Sequence, residues 1–315
     1  MPVIIETDMY CDVDDMGALA VAHVLADEGR IDLLCVGVNT PSRYGVGAVR
    51  AVNEFYGRPE LPVGGMFPQT DDVFPRDYAK FVAERFTTSQ GTVPDAPAVD
   101  VLRAALAGQE DHSVIIVSIG YFQNLLALLH SAPDAASDLS GEELVIRKVR
   151  QTTVMAGQFP VGRETNITDF AEVSRDFVAH WPLPLDFLGW ELGFDVITGS
   201  GLSPHYSQDN PVAAAYEQYC GKGVGRRSWD PMTVSLAVLG ESAGYRYSNH
   251  GRVEVLQDGT TTWTEDPTGP HRITFRTRRA EDIATELDQM LLRSPKFAAK
   301  SDMVETEVRP GGTPN

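Results

Sequence analysis

The chain contains few cysteines and no long hydrophobic run. Cys11, Cys35 and Cys220 are an odd number of cysteines without metal-ligand spacing, which argues against a disulfide framework and fits a reducing compartment. No stretch approaches the roughly eighteen apolar residues of a membrane span, and the segment MPVIIETD lacks a basic part followed by a long apolar run. We therefore expect a soluble cytoplasmic protein that has no membrane partner.

Positive charge is also scarce. The 26 Lys and Arg residues stand against 44 Asp and Glu residues, and the formal net charge is −18. Such a charge repels nucleic acid and anionic membranes unless a local basic patch intervenes, and the densest basic stretch, GKGVGRRSWD, is short. We predict no nucleic-acid partner.

The chain does have enough apolar content for a large core. Its 315 residues are 43% hydrophobic, which argues against a disordered protein and suffices for one large domain or two small ones. We predict a single domain over residues 1–294. Residues 295–315 have little apolar content and are predicted to form a disordered tail.

A strand followed by a helix is the repeating pattern. VIIET precedes the helical stretch MGALAVAHVLADEG, IDLLCVGVN precedes VGAVRAVNEFYG, and SVIIVSIG precedes YFQNLLALLHS; KVRQTTVMAG and PLDFLGWELG are further strand candidates, with FAEVSRDFVAHW helical between them. Apolar strands that alternate with amphipathic helices predict an α/β fold with a mainly parallel central sheet flanked by helices. GRVEVLQDGTTTWTED and HRITFRT predict a small C-terminal β extension with an Asp-Gly turn, followed by the helix AEDIATELDQMLLR.

Five carboxylates lie within ten residues at the end of the first predicted strand: Glu6, Asp8, Asp12, Asp14 and Asp15. Open α/β sheets bind ligands at the carboxyl ends of their strands. Crowded carboxylates repel one another unless a cation neutralises some of them, and hard oxygen ligands select Ca²⁺ or Mg²⁺. The alternative is a solvated acidic turn in which Asp14 and Asp15 favour a helix N-terminus. We favour a metal site.

Two known acidic motifs fit this loop poorly. An EF-hand would need a ligand where Met16 stands and a glutamate where His23 stands. A haloacid-dehalogenase-type phosphatase would use Asp12 as its nucleophile, but Asp12 lies several residues beyond the strand and the downstream metal acids are absent. The phosphatase is kept as an alternative.

The same residues resemble a known family. ETDMYCDVDDMGAL is similar to the N-terminal signature of the inosine-uridine-preferring nucleoside hydrolases, in the branch with the longer Asp-x-x-x-Asp-x-Asp-Asp loop. Further segments resemble the family in the same order up to about residue 275: AVNEFYGRPELPVGG, VSIGYFQNLLALL, ETNITDFAE and SWDPMTVSLAVLG. The resemblance implies a Ca²⁺-dependent enzyme that hydrolyses the N-glycosidic bond of a small nucleoside to ribose and free base. It also implies a homo-oligomer, a dimer or a tetramer.

The resemblance assigns the metal ligands. Asp8, Asp15, Asp230 and the backbone carbonyl of Ile119 would bind calcium, and Asp8 would also take a proton from the metal-bound water. The chemistry suits these groups, because carboxylates stabilise an oxocarbenium-like sugar and a bound cation lowers the pKa of its water. Asp12 belongs to the longer loop, and its role is left open.

The resemblance also assigns the substrate contacts. Asp14 would bind a ribose hydroxyl, and Glu164 and Asn166 would hold the 3′- and 5′-hydroxyls. Asn39 is a candidate ribose contact, although the family's glycine-flanked Asn is not evident after this strand. Trp229 stands where the family often has a His that protonates the departing base, and a Trp can stack on a base but cannot act as an acid.

Less specific interpretations of these residues stay open. Asp230, which precedes Pro231, could be a helix N-cap, and Glu164 and Asn166 could be ordinary polar loop residues. The residues that could replace the missing acid are His205, Tyr206, Tyr216, Tyr219, Arg226 and Arg227. The absent His also leaves a non-catalytic protein that binds ribose or a nucleoside as an alternative.

Overall fold

A computed structural model describes residues 1–71, 78–88, 95–202, 209–293 and 295. The predicted disordered tail lies outside the described residues, apart from residue 295. No helix in the described ranges is long and apolar enough to cross a membrane.

The described strands and helices alternate through the first two thirds of the chain. The strands are β1 (Pro2–Thr7), β2 (Asp32–Val38), β3 (Val63–Gly65), β4 (Ala96–Pro97), β5 (Val114–Ser118), β6 (Val149–Met155), β7 (Val161–Gly162), β8 (Leu185–Leu188), β9 (Ile197–Thr198), β10 (Arg226–Arg227), β11 (Tyr245–Tyr247), β12 (Gly251–Val255), β13 (Thr261–Glu265) and β14 (His271–Arg276). The α-helices are α1 (Asp14–Asp27), α2 (Arg43–Phe55), α3 (Ala79–Phe86), α4 (Ala98–Ala107), α5 (Gln123–Leu129), α6 (Gly141–Lys148), α7 (Thr165–Thr168), α8 (Ala171–His180), α9 (Trp190–Gly193), α10 (Pro211–Cys220), α11 (Trp229–Leu239) and α12 (Ala280–Leu291).

One large sheet joins most of these strands in the order β4-β3-β2-β1-β5-β6-β8-β14-β12-β13-β7, with β11 paired to β14. Every neighbouring pair from β4 to β14 is parallel, whereas β12, β13, β7 and β11 pair antiparallel. The predicted α/β class and its mainly parallel sheet are confirmed. The C-terminal β extension continues this sheet, and the Asp258-Gly259 turn lies between β12 and β13 with Gly259 at φ +80°.

Helices cover both faces of the sheet, which gives two hydrophobic clusters. One cluster packs α1, α2, α10 and α11 against one face, and the other packs α4, α5, α6 and α8 against the opposite face. α1 differs from the predicted amphipathic helix, because every residue from Asp14 to Leu25 is buried. It contacts α2, α11 and α12 as well as β2, so it has no solvated face.

The segment PLDFLGWELG is shorter as a strand than predicted. β8 ends at Leu188, and Trp190 begins the short helix α9. Gly189 separates the two elements, and the backbone N–H of Trp190 donates to the carbonyl of Gly157 (2.8 Å) instead of to a neighbouring strand. This turn brings Trp190 to the carboxyl edge of the sheet.

Candidate active site

The acidic loop connects β1 to α1 across the carboxyl edge of the sheet. Asp8 follows β1 directly, and Asp14 and Asp15 form the first turn of α1. The hydroxyl of Thr7 donates to Asp15 Oδ1, and the backbone N–H of Met9 donates to Thr7 Oγ1 (3.1 Å) and to Asp15 Oδ1 (3.3 Å). These bonds join the end of the strand to the start of the helix, so three carboxylates are held in a fixed relation.

A cavity of about 360 Å³ opens at this edge, which is a size that suits a small-molecule ligand. Nine of the ten predicted site residues line it: Asp8, Asp12, Asp14, Asp15, Ile119, Glu164, Asn166, Trp229 and Asp230. Seven other residues complete the wall: Cys11, Met155, Thr165, Trp190, Tyr219, Arg226 and Arg227. Parallel strands produce this convergence, because Asp8, Ile119, Met155 and Trp190 each follow or end a strand at the same edge.

Asp230 reaches the acidic loop from a distant part of the sequence. It lies in the first turn of α11, where its backbone N–H donates to Asp14 Oδ2 (3.1 Å), and its side chain is buried. The N-cap of α11 is Ser228, so the interpretation of Asp230 as the N-cap is wrong. The packing of α11 against α1 explains how residues so far apart in sequence meet.

Glu164 and Asn166 also line the cavity, and each has structural hydrogen bonds of its own. Glu164 is the N-cap of α7 and accepts hydrogen bonds from the backbone N–H groups of Asn166 (2.7 Å) and Gly157 (3.1 Å). The Asn166 amide donates to the carbonyl of Met155 (3.0 Å) and to that of Ile119 (3.5 Å). These two side chains therefore fix the ends of β5 and β6 next to the acidic loop.

Burial raises the pKa of every one of the five inner carboxyl groups. The pKa of Asp8 rises to about 7, mainly through burial, although a hydrogen bond with Asp15 opposes the rise. Burial likewise raises the pKa of Glu164 to about 7, and it raises those of Asp14, Asp15 and Asp230 well above their usual value. Mutual repulsion adds to burial, so the cluster resists full ionisation unless a cation joins it.

Some observations favour a hard cation here and one does not. Asp15 Oδ2 is buried and has no hydrogen-bond partner among the described residues. The neighbouring carboxyl group of Asp8 can hydrogen-bond to Asp15 only if one of the two groups is protonated. The surrounding donors are oxygen atoms, which suit Ca²⁺. However, no three His, Cys, Asp or Glu side chains in the described ranges are close enough to ligate one ion together.

Comparison with protein-family models finds no match, and comparison with curated proteins finds none. Solved structures are similar, however. A plant nucleoside hydrolase matches over 92% of this chain and 98% of its own, with a TM-score of 0.68 and 21% identity. An inosine-uridine preferring nucleoside hydrolase from Bacillus anthracis matches over 91% and 99%, with a TM-score of 0.63 and 16% identity. The type III effector protein XopQ, complexed with adenosine diphosphate ribose, matches over 92% of both chains, with a TM-score of 0.63 and 15% identity.

The chain has the nucleoside hydrolase fold. The family branch with the longer acidic loop stays a prediction, since similarity at these identities establishes the fold alone.

Within the nucleoside hydrolase fold, Asn39 lies outside the cavity wall. Its Nδ2 donates to Glu6 Oε2 (3.3 Å) and its Oδ1 accepts from the backbone N–H of Tyr121 (3.0 Å), so both ends of the amide are engaged. Asn124 donates to the same oxygen of Glu6 (2.9 Å). Glu6, which the sequence places among the loop carboxylates, is fully buried in β1 and does not line the cavity. Glu6, Asn39 and Asn124 therefore form a buried, hydrogen-bonded group next to the acidic loop.

The structure reduces the number of residues that could replace the missing acid. Tyr216 is buried, does not line the cavity, and has a hydroxyl whose pKa burial raises well above its usual value. His205 and Tyr206 lie outside the described residues. Tyr219, Arg226 and Arg227 do line the cavity.

Trp190 is the cavity residue that sequence reasoning missed most clearly. Its ring stacks with that of Trp229, with centroids 6.3 Å apart and planes 26° apart. The sequence does indicate this position, because Trp190 follows the apolar run LDFL and so stands at the carboxyl end of a strand. The predicted strand PLDFLGWELG instead placed Trp190 inside the strand.

Proposed function

We propose that the protein hydrolyses the N-glycosidic bond of ribonucleosides. The observation that carries the proposal is the convergence of five buried carboxylates and two stacked tryptophans on one cavity at the carboxyl edge of the sheet. Carboxylates suit a sugar that develops oxocarbenium character, and flat indole rings suit a nucleobase. The similar folds of known nucleoside hydrolases support the same reaction.

Each polar residue has a role in this proposal. Asp8 accepts the proton of the attacking water, since its carboxylate lines the cavity beside the residues that would hold the sugar. Asp14 hydrogen-bonds a ribose hydroxyl next to Asp8. Glu164 and Asn166, which line the same cavity, hold the other sugar hydroxyls and so orient the ribose.

Ca²⁺ is the cofactor that we propose. It would be held by Asp8, Asp15, Asp230 and the carbonyl of Ile119. The three carboxylates would move closer to one another once the cation neutralises their mutual repulsion. When bound, the ion supplies a Lewis acid that lowers the pKa of a water molecule and orients sugar hydroxyls. The unpartnered Oδ2 of Asp15 supports this assignment.

The alternatives differ in what they require of Asp12. A phosphatase needs Asp12 as a free nucleophile, but both of its carboxylate oxygens accept hydrogen bonds from Arg226, which argues against that role. A protein that binds a riboside without turnover needs only the cavity. The similarity to an effector complexed with adenosine diphosphate ribose keeps this second function in view.

The deciding experiment incubates the protein and Ca²⁺ with a panel of purine and pyrimidine ribonucleosides and measures released ribose as reducing sugar. We expect turnover of at least one ribonucleoside and its loss in Asp8→Asn. Saturable binding of ribonucleosides without any released ribose would support the binding protein instead and contradict the proposal.

A further inference from the structure

Arg226 is one of two arginines in the wall of a mostly acidic cavity, the other being Arg227. Arg226 lies in β10, which pairs with β9 in a small separate sheet. Its Nε donates to both oxygens of Asp12 (2.8 and 3.1 Å), and its Nη2 donates to Asp12 Oδ2. Asp12 is fixed in turn, because its Oδ1 accepts from the backbone N–H of Val13 (2.7 Å). The extra acid of the longer loop therefore orients a guanidinium group.

Aromatic rings hold the same guanidinium on its faces. The Arg226 Cζ lies 5.6 Å from the ring centroid of Tyr219 and 5.8 Å from that of Trp229. Both rings line the cavity. Among the described residues, Arg226 Nη1 has no hydrogen-bond partner, so this group of N–H donors is available to a ligand beside Trp229.

The position of Arg226 matters because the leaving base gains negative charge when the glycosidic bond breaks. Glycosidic cleavage breaks the bond between C1′ and the base nitrogen, and the electron pair stays on that nitrogen. The water oxygen bonds to C1′, its proton passes to Asp8, and the base takes a proton from solvent after it departs. Trp229 cannot donate that proton in the transition state, so negative charge builds up on the base. A fixed cation with free N–H donors stabilises such charge.

We propose that Arg226 is a catalytic residue that hydrogen-bonds the departing base and stabilises its negative charge, and that Asp12 is the residue that positions it. The inference rests on the proposed hydrolysis.

A matched control lies elsewhere in the fold. Arg272 makes the same kind of bidentate contact with Asp186 (2.7 and 2.8 Å), and its Cζ lies 4.0 Å from the ring centroid of Tyr247. Arg272 does not line the cavity. Arg272→Gln therefore reports the cost of losing a stacked, ion-paired arginine without touching the site.

The test compares inosine with p-nitrophenyl riboside, whose leaving group needs little help. We expect Arg226→Gln to lower kcat for inosine about 100-fold and kcat for the activated riboside less than about threefold. Arg226→Lys, which keeps the charge, should have a higher kcat for inosine than Arg226→Gln. Asp12→Asn should lower kcat for inosine by a smaller factor than Arg226→Gln and should again have little effect on the activated riboside. Arg226→Gln should also weaken hypoxanthine binding, measured by tryptophan fluorescence, whereas Arg272→Gln should not.

Each result has a clear meaning. Equal losses of kcat for both substrates, with a change in Tm like that of Arg272→Gln, would overturn the role of Arg226 while leaving the proposed hydrolysis intact. An inosine-selective loss of kcat in Tyr219→Phe, with no such loss in Arg226→Gln, would assign the role to Tyr219 and overturn the proposal likewise. A wild-type protein that hydrolyses neither riboside would overturn the proposed function, and the role of Arg226 with it.

Discussion

The indole N–H of Trp229 donates a hydrogen bond to the backbone carbonyl of Trp190 at 2.6 Å. Because the rings also stack, this bond fixes Trp229 as part of a flat wall and uses its single donor. Gly193 makes the arrangement possible, since a Cβ there would lie 2.3 Å from Trp229 Cδ1. Trp229 is thus held in a fixed position in the cavity wall.

Trp229→Ala should therefore act on substrate binding. We expect KM for the ribonucleoside to rise by about tenfold, the equivalent of roughly 1.4 kcal/mol of lost stacking, with a smaller fall in kcat. Trp181→Ala is the control, because Trp181 is also buried with a bonded indole N–H but packs away from the cavity. A fall in kcat at constant KM for Trp229→Ala would contradict the stacking role.

Asp8 and Asp12 separate the hydrolase from the phosphatase. We expect Asp8→Asn to lower kcat for every riboside by about 10²–10⁴-fold, because both natural and activated substrates need the activated water. Asp12→Asn should leave the activated riboside nearly unaffected. Phosphate release from an aryl phosphate that Asp12→Asn abolishes would show that the phosphatase alternative is correct.

The acidic cavity should bind calcium. We expect the purified protein to hold about one tightly bound divalent cation per chain, identified by elemental analysis, because an oxygen-only donor set favours Ca²⁺ over softer metals. Asp230→Asn should weaken binding measured by calorimetry, while Asp266→Asn, at an exposed ion pair outside the cavity, should not. A protein free of divalent cations that gives no binding heat would remove the metal from the proposal.

His23 should make the fold sensitive to acid. It is fully buried between α1 and α2, and burial lowers its pKa from 6.5 to about 3, although a hydrogen bond with Asn53 opposes the shift. The folded chain therefore keeps His23 neutral, whereas the unfolded chain binds a proton below about pH 6.5. His23 should therefore lower the free energy of unfolding by about 2 kcal/mol between pH 7 and pH 5, whereas the cavity carboxyl groups, whose pKa values burial raises, act in the opposite direction.

Urea unfolding of the wild type and His23→Gln at both pH values measures this contribution. Glutamine keeps an amide near Asn53 but does not titrate, so on acidification from pH 7 to pH 5 the free energy of unfolding of the variant should end about 2 kcal/mol higher relative to the wild type. His271, whose pKa burial lowers to about 4, remains in both proteins and contributes equally. Equal changes of the free energy of unfolding in the two proteins would show that His23 makes no such contribution.

Much of this protein follows from local patterns. The apolar runs and their alternation with helices predict the parallel sheet, because burial on both faces requires strands without polar alternation. The rule that ligands bind at the carboxyl ends of strands then places Asp8 and its neighbours at a site. Glu164, Asn166 and Asp230 were assigned by resemblance, and the structure brings them to the same cavity.

Tertiary structure decided what each polar group faces. Glu6 and Asp8 are two residues apart on the same strand end, yet Glu6 is buried against Asn39 and Asn124 while Asp8 lines the cavity. Asp12 gained a partner 214 positions away in Arg226, and Trp190 left its predicted strand to stack on Trp229. Sequence spacing records neither outcome, because long-range contacts form only when α11 and the β9–β10 pair pack against the acidic loop.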